Sequence, residues 1–197
     1  MDRLKTVSVS RVDPVKPPLR RMLVDRRRAL SAEERTRQSR LIRERLTHIP
    51  TVRAARVVVG YAATPFEVDL MPWLAEESRR GVTIGLPRTE GQSMEIRQWR
   101  EGDSLSVGPF AIREPASAAP ALELREIDVV LVPAVGFDRR GHRVGFGLGY
   151  YDRFLSTVPA ATKVGVAFDV QVVDRIPEEA HDVSVDWLVL PTETVKV

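Results

Sequence analysis

Cysteine is absent from the chain, which excludes disulfide frameworks, thiolate metal sites and cysteine nucleophiles. Histidine is scarce: His48, His142 and His181 stand too far apart for a zinc spacing and are read as ordinary surface residues. Aromatic residues make up only 6% of the sequence, and Trp73, Trp99 and Trp187 are expected to pack in or near the core. The longest apolar run, Val129–Val135 with Pro133 inside it, falls far short of the roughly 20 residues that cross a bilayer. The opening residues, MDRLKTVSVSRVDPVK, hold neither the apolar stretch nor the small-residue cleavage site of a secretory signal. A soluble, cytoplasmic protein with no membrane partner is expected.

What is present suffices for one compact unit, since 197 residues of which 43% are hydrophobic can bury a proper core. Residues 1–15 mix Ser, Val, Arg and Pro without a period and read as a disordered tail, and residues 16–197 as a single domain. The net charge of +3 conceals an asymmetry: residues 1–56 hold 16 Lys/Arg against 6 Asp/Glu, the remainder 14 against 21. A basic front suits a nucleic-acid surface or a site for a smaller polyanion such as ATP, and composition alone does not choose.

Helical spacing of Leu19, Met22, Leu23 and Leu30 predicts a first helix, and Ser31-Ala32-Glu33-Glu34 matches a capping box that starts a second. Leu41, Ile42, Leu46 and Ile49 form that second helix's apolar stripe. Residues 56–61, centred on Val57-Val58-Val59, read as a buried strand, followed by a loop to Glu67, a helix over 68–80 and a strand over 82–86, a parallel βαβ unit. Residues 88–126 are richer in Gly, Pro and polar residues and read as a small inserted lobe. Strands over 127–132, 163–168 and 186–190 complete the pattern, the last closing the sheet. Between the first two of these lie a Gly-rich loop over 136–149 and a helix start at 150–156. The fold class expected is α/β: a three-layer Rossmann-like sheet, mostly parallel, with helices on both faces and the inserted lobe.

The densest chemical cluster is the run from Phe137 to Arg153, directly after a buried strand, where open α/β sheets bind ligands. Gly145, Gly147 and Gly149 form a candidate phosphate cradle, because glycines let backbone N–H groups approach an anion at a helix N-terminus. Alternating glycines also occur in bulges and turns, and the loop fits neither a Walker motif nor a dinucleotide fingerprint. Lys16 reads as a solvated residue at a helix entrance, and Arg26-Arg27-Arg28 as a solvated face, since three successive residues point in different directions. Glu67 is either an acidic first-turn residue or a ligand contact. Asp152 is open to a charge-partner role with Arg153, and Asp182 to a capping role.

The run from Asp128 to Asp138, followed by Gly141 to Arg153 with its GYYDR ending, resembles the signature of 5-formyltetrahydrofolate cyclo-ligases. KPPLR at 16–20, the segment 61–69 with Glu67, Leu86-Pro87-Arg88, residues 110–115 and VGVAFDVQVVDRIPEEAHD at 164–182 recur in the same order, so the resemblance covers residues 16–192. It implies ATP-dependent closure of 5-formyltetrahydrofolate, with or without a polyglutamate tail, to 5,10-methenyltetrahydrofolate, with Mg²⁺ as the metal. It also implies ATP contacts at Lys16, Arg20, Arg143, Gly145, Gly147, Leu148, Gly149, Tyr150 and Tyr151. Substrate contacts are implied at Glu67, Phe146 and Tyr150, and magnesium ligands at Asp152 and Asp182. A monomer or weak oligomer is expected, with no nucleic-acid partner. Leu148 and Leu70 depart from the family pattern, so a paralogue phosphorylating another formyl or amide substrate is the alternative enzyme. A nucleic-acid-binding module on the basic front is the alternative of another class.

Overall fold

The structure is a computed structural model, and it describes residues 15–91, 93–179 and 181–197. The tail expected over 1–15 lies, Val15 apart, outside the described residues. Two helices open the fold, α1 (Lys16–Ala29) and α2 (Ala32–Leu46), then a short α3 (Pro50–Ala54) leads into β1 (Val57–Val59). Next come α4 (Met71–Arg79), β2 (Thr83–Glu90), β3 (Ser93–Trp99), β4 (Leu105–Val107) and β5 (Arg113–Pro115). The second half runs β6 (Val129–Val132), β7 (Gly136–Asp138), β8 (Arg143–Val144), α5 (Tyr150–Thr157), β9 (Thr162–Val166), β10 (Val172–Val173), β11 (Trp187–Val189) and β12 (Thr194–Lys196).

The main sheet has seven strands in the order β12-β11-β9-β6-β1-β2-β3. From β11 to β2 all neighbours run parallel, and β3 and β12 lie antiparallel at the two edges. Successive side chains of a strand point to opposite faces, so each buried strand feeds two cores. Val58, Val129, Leu131 and Val189 pack with Ile42, Leu46, Trp73 and Leu74 on one face. Val59, Val130, Val132 and Leu188 pack with Phe154 and Leu155 of α5 on the other. That is the three-layer α/β arrangement expected, with helices on both faces.

A third, smaller core holds α1 in place. Leu23 of α1, Val135, Val144 and Ile176 are buried together, next to a three-stranded sheet of order β10-β7-β8. Gly136 permits this approach: a Cβ there would stand 2.5 Å from a Leu23 methyl and 2.7 Å from the Gln171 carbonyl. Burying Leu23 contributes roughly 1.5–3 kcal/mol.

Several boundaries differ from those read in the sequence. Residues 83–99 form a hairpin, with β3 paired to β2 from Ile84↔Trp99 to Glu90↔Ser93, so the expected lobe loses this stretch to the main sheet. What remains of it is the β4–β5 pair with flanking 3-10 turns. The third long helix starts at Met71 rather than Val68, because Pro72 is tolerated only in a first turn and Asp69 Oδ1 accepts the Met71 N–H at 3.0 Å. The Gly-rich segment 136–149 contains the β7–β8 hairpin. The sheet closes on β12, not on β11. In α2, Leu41 is only half-buried, and Gln38 and Ser39 join Ile42 and Leu46 on the inner face. Ser31 accepts the Glu34 N–H at 3.1 Å as the capping box requires, but the Glu34 carboxylate turns to Arg37 and Gln38.

The turn between β7 and β8 is organised by Asp138, which is fully buried. Its carboxylate accepts the N–H groups of Arg140 at 3.0 Å, His142 at 3.1 Å and Ile176 at 3.0 Å, and the Arg140 guanidinium at 2.8 Å. Burial works against this charge, but the Ile176 N–H, the Arg140 guanidinium and the remaining donors outweigh it and hold the carboxyl below its usual pKa. The stabilisation is therefore complete above the ordinary carboxyl pKa of about 4 and is lost as pH falls through the lower native value. Asp138→Ala should destabilise the fold by about 3–5 kcal/mol, because the N–H groups of Arg140, His142 and Ile176 lose their acceptor at once, whereas the Arg140 guanidinium, 40% exposed, can turn to water. Urea unfolding from pH 3 to 7 should show a shallower acid-side loss for Asp138→Asn than for the parent; equal slopes would refute this account.

Candidate functional site

On α1, Lys16, Arg20, Leu23 and Arg27 share one face at helical spacing. Pro17 and Pro18 occupy the first turn, where the missing N–H costs nothing. Leu23 anchors the face, and the three cations meet three different segments of the second half of the chain or of the β1 loop. Lys16 Nζ lies 2.9 Å from Asp182 Oδ2 and 3.1 Å from Glu179 Oε1. Burial opposes the Lys16 charge, but hydrogen bonds to the two carboxylates prevail and raise its pKa. For Asp182, burial is likewise outweighed by Lys16 and by the Glu179 N–H at 2.9 Å, and its pKa is lowered.

Arg20 donates from Nε to the Gly145 carbonyl at 2.5 Å, which fastens α1 to the loop 145–149. Gly147 and Gly149 take φ values of 92° and 68°, in the left-handed region that favours glycine. Gly149 immediately precedes α5, so the loop delivers the chain to the unsatisfied N–H groups of a helix start. Phe146 and Leu148 project outward, 59% and 51% exposed. Tyr150 donates its hydroxyl to the Gly91 carbonyl at 2.9 Å and carries the Arg153 guanidinium 5.3 Å from its ring centre. Tyr151 instead packs against the second core, where burial raises its hydroxyl's pKa.

Arg143, which the resemblance implies as an ATP contact, turns inward in the structure. It is buried, and its guanidinium donates to the Val183 carbonyl and to Asp152 Oδ1. Burial lowers its pKa, opposed by Asp152 and Asp182. Asp152 pairs here with Arg143, and its Oδ1 also receives the Val183 N–H at 3.5 Å. Because Val183 follows Asp182, this contact brings the segment that carries Asp182 beside Asp152, thirty positions earlier in the chain. Ligand atoms of Glu179, His181 and Asp182 lie within 4.8 Å of one another. Carboxylate oxygens gathered in this way suit a hard divalent cation.

A closed crevice, about 160 Å³ of empty space and too tight to admit a water molecule, lies at the carboxyl ends of β1, β6 and β9, lined by Arg27, Tyr61, Glu67, Pro133, Ala134 and Gln171 among others. Glu67 Oε2 accepts the Thr64 N–H at 2.9 Å, and Arg28 and Arg35 cover the neighbouring Phe66 ring at 5.7 and 5.0 Å. Tyr61 donates to the Val68 carbonyl at 2.9 Å, and Gln171 donates to the carbonyls of Ala134 and Val135. Phe146 from the Gly-rich loop overhangs the crevice, its ring centre 5.9 Å from the Arg27 guanidinium. The loop and the Glu67 crevice thus adjoin.

The candidate residues lie in the segments around the carboxyl ends of the parallel strands, with Arg143 buried and Tyr151 half-buried. The sequence reading passed over Glu179 and Gln171 and took Arg27 for part of a solvated face, whereas Arg27 is buried. Arg27 was legible, since it stands seven positions after Arg20 and eleven after Lys16, on the same face of the helix. Glu179 and Gln171 carry no local signal, because only the tertiary fold brings them to Lys16 and to the crevice wall. Of the histidines, His48 and His181 are exposed and His142 is half-buried beside Glu178. Among the described residues no helix is long and apolar enough to cross a membrane.

A family model described as the 5-formyltetrahydrofolate cyclo-ligase family matches residues 12–191. A 5-formyltetrahydrofolate cyclo-ligase of Mycolicibacterium smegmatis is 32% identical, over 89% of this chain and 93% of its own. The mouse 5-formyltetrahydrofolate cyclo-ligase is 30% identical with the same coverages, 89% and 93%. The NMR structure of the Aquifex aeolicus 5,10-methenyltetrahydrofolate synthetase superposes with a TM-score of 0.82 at 36% identity, covering 92% of both chains.

The Arg143–Asp152 pair yields a prediction independent of any ligand. With the Arg143 side chain 6% exposed, Asp152→Ala would leave a buried guanidinium without its carboxylate. Removing one member of a buried pair costs about 3–5 kcal/mol, and the partial exposure of Asp152 places this variant at the lower end. Asp152→Asn, which keeps an acceptor oxygen, should lose markedly less in denaturant unfolding. Equal stability of the alanine variant and the parent would show that the pair does not hold the loop.

Proposed function

Because the chain belongs to the 5-formyltetrahydrofolate cyclo-ligase family, we propose that it converts 5-formyltetrahydrofolate to 5,10-methenyltetrahydrofolate with consumption of ATP and release of ADP and phosphate. The observation that carries this reading is the convergence of Lys16 and Arg20 on Asp182 and the Gly145 carbonyl across 166 and 125 positions. That convergence gives a cationic face set against a glycine loop that leads into a helix start.

The chemistry asks for two events. The formyl oxygen on N5 attacks the γ-phosphorus and ADP leaves; N10 then attacks the activated formyl carbon, loses its proton, and phosphate departs as the C–N bond closes the ring. Phosphoryl transfer depends on positioning and charge neutralisation more than on a strong base. Lys16 and Arg20 supply point charge and forked donors to the phosphates, and the backbone of Gly145, Gly147 and Gly149 supplies N–H groups. Leu148, Tyr150 and Tyr151 border the nucleotide. Arg143, enclosed as it is, acts by fixing Asp152 and Val183 rather than by touching phosphate. Glu67 faces the pterin with Phe146 and Tyr150 beside it.

Asp152 and Asp182 are the residues that would hold Mg²⁺, with Glu179 alongside. Bound there with the nucleotide, the ion would neutralise charge on the phosphate oxygens. Lys16 would then exchange Asp182 for phosphate. We place this activity in the cytoplasm, in a monomer or weak oligomer, on a folate with one or several glutamates.

Mixing the protein with Mg-ATP and 5-formyltetrahydrofolate should produce the methenyl chromophore and ADP, neither of them when ATP is omitted. ADP release with a different formyl or amide compound, and none with the folate, would replace this reading with the paralogue. Lys16→Ala should raise the KM for ATP about ten- to a hundredfold, the worth of one charged hydrogen bond. Glu67→Gln should raise the KM for the folate and leave that for ATP near the parent's, and the reverse pattern would reject its role. Asp152→Asn and Asp182→Asn should each raise the magnesium requirement for ADP formation.

A further inference from the structure

Arg27 is a buried cation whose donors are unmatched. It is 5% exposed, and its Nε and Nη1 have no hydrogen-bond partner within the protein. Glu67 Oε1 stands 3.8 Å from Nη1, beyond hydrogen-bond length, whereas a closed guanidinium–carboxylate pair sits at about 2.7–2.9 Å. The Phe146 ring lies near the guanidinium and presents no acceptor oxygen. A buried guanidinium with idle donors is costly unless an acceptor completes it, and the closed crevice that Arg27 lines, about 160 Å³ of empty space, is where such an acceptor would reach it once the crevice widens to admit a ring edge.

Phosphate is a poor candidate for that acceptor. Arg27 stands seven residues beyond Arg20, roughly 10 Å along the helix axis at 1.5 Å per residue, and Glu67 beside it would repel an anion. An uncharged group that offers an acceptor next to donors fits both side chains. The pyrimidine edge of a 4-oxo pterin is such a group: the O4 acceptor, then the N3–H donor, then the 2-amino donor.

We propose that Arg27 is a specificity-determining residue of the folate site, donating to the pterin 4-oxo oxygen while Glu67 accepts from N3–H and the 2-amino group. The pair presents donor–acceptor–acceptor to the ring's acceptor–donor–donor, which aligns the ring in one orientation. This assignment rests on the reading that the Glu67 crevice receives the folate. It extends that reading by naming the ring edge and the group that reads it.

The test uses the full chain, its Arg27→Met variant and an Arg27→Lys variant, with two probes: folic acid and its 4-amino-4-deoxy analogue. Calorimetric titration gives the ratio of the two affinities for each protein. In Arg27→Met the preference for the 4-oxo compound should fall about ten- to a hundredfold relative to the parent, the range for one charged hydrogen bond. The KM for 5-formyltetrahydrofolate should rise by a similar factor with the KM for ATP within about twofold. Arg27→Met should unfold at the same or a higher denaturant concentration, since it removes a buried charge. Arg27→Lys keeps the charge and decides the matter by the same ratio if the methionine variant does not fold. A parent that forms the chromophore alongside a variant with an unchanged ratio would overturn the Arg27 assignment alone. A parent that neither binds folates nor forms the chromophore would overturn the functional reading and, with it, this one.

Discussion

A buried carboxylate, Asp138, ties together the two segments from which most polar groups of the site project, because it accepts N–H groups from the β7–β8 turn and from Ile176 at once. One segment continues through Arg143 into the glycine loop and Asp152. The other continues through Glu179 to Asp182. Neither segment belongs to the main sheet, so the strong parallel pairing of β6, β9 and β11 does not fix them relative to one another. The β10–β7 pairing of the small sheet does, through Val172↔Phe137 and Val173↔Asp138, and the charge-assisted bonds of Asp138 reinforce it. α1 then closes over this scaffold through Leu23 against Val135, Val144 and Ile176, and its cations fall where the two segments have already been set.

Pairing of opposite charges is the site's second constraint. Lys16 meets Asp182 and Glu179, Arg143 meets Asp152, and Arg27 faces Glu67. The three pairs differ in closeness and exposure, and those differences sort their roles. Arg143 is sealed in and bonded on both sides, which suits a strut. Lys16 is partly accessible and held by partners that could be replaced by phosphate oxygens. Arg27 is sealed but stops short of a bond. Such graded pairing lets a protein keep cations next to carboxylates without collapsing every pair, since a fully closed pair would have nothing left to offer a ligand.

Much of this was legible in the sequence, and the exceptions have physical causes. β-branched runs such as Val57-Val58-Val59 and Val129–Val132 announced buried parallel strands, because residues covered on both faces need no polar alternation. Gly145, Gly147 and Gly149 announced a loop, and two of the three do adopt left-handed backbone. The second strand of the β2–β3 hairpin was read as part of a lobe because edge strands tolerate polar residues and Pro87 breaks the apolar pattern next to it. β12 was missed because Thr194, Val195 and Lys196 form a strand only by pairing with β11. For Arg143 the sequence reveals that a cation is present, not that its guanidinium turns inward to a carbonyl forty positions away.

The basic front of the chain left two readings open, and the side-chain partners of those arginines bear on the choice. Arg37 pairs with Glu34 and Arg40 with Glu44 along α2. Arg43 donates to the Asp69 carbonyl, and Arg45 to the carbonyls of Pro191 and Thr192. Arg28 and Arg35 lie over Phe66, while Arg20 and Arg27 turn toward the loop and the crevice. A surface that tracks a nucleic-acid backbone needs cations presented side by side to solvent, so that each displaces counterions from a phosphate. Arginines already bonded to the chain's own carbonyls and carboxylates contribute less to such a surface, because those bonds must be broken first. On α1, Lys16 and Arg20 converge instead on the glycine loop and the acidic segment beside it, with Arg27 about 10 Å further along the helix. A field focused in that way attracts a small polyanion of concentrated charge more strongly than an extended one.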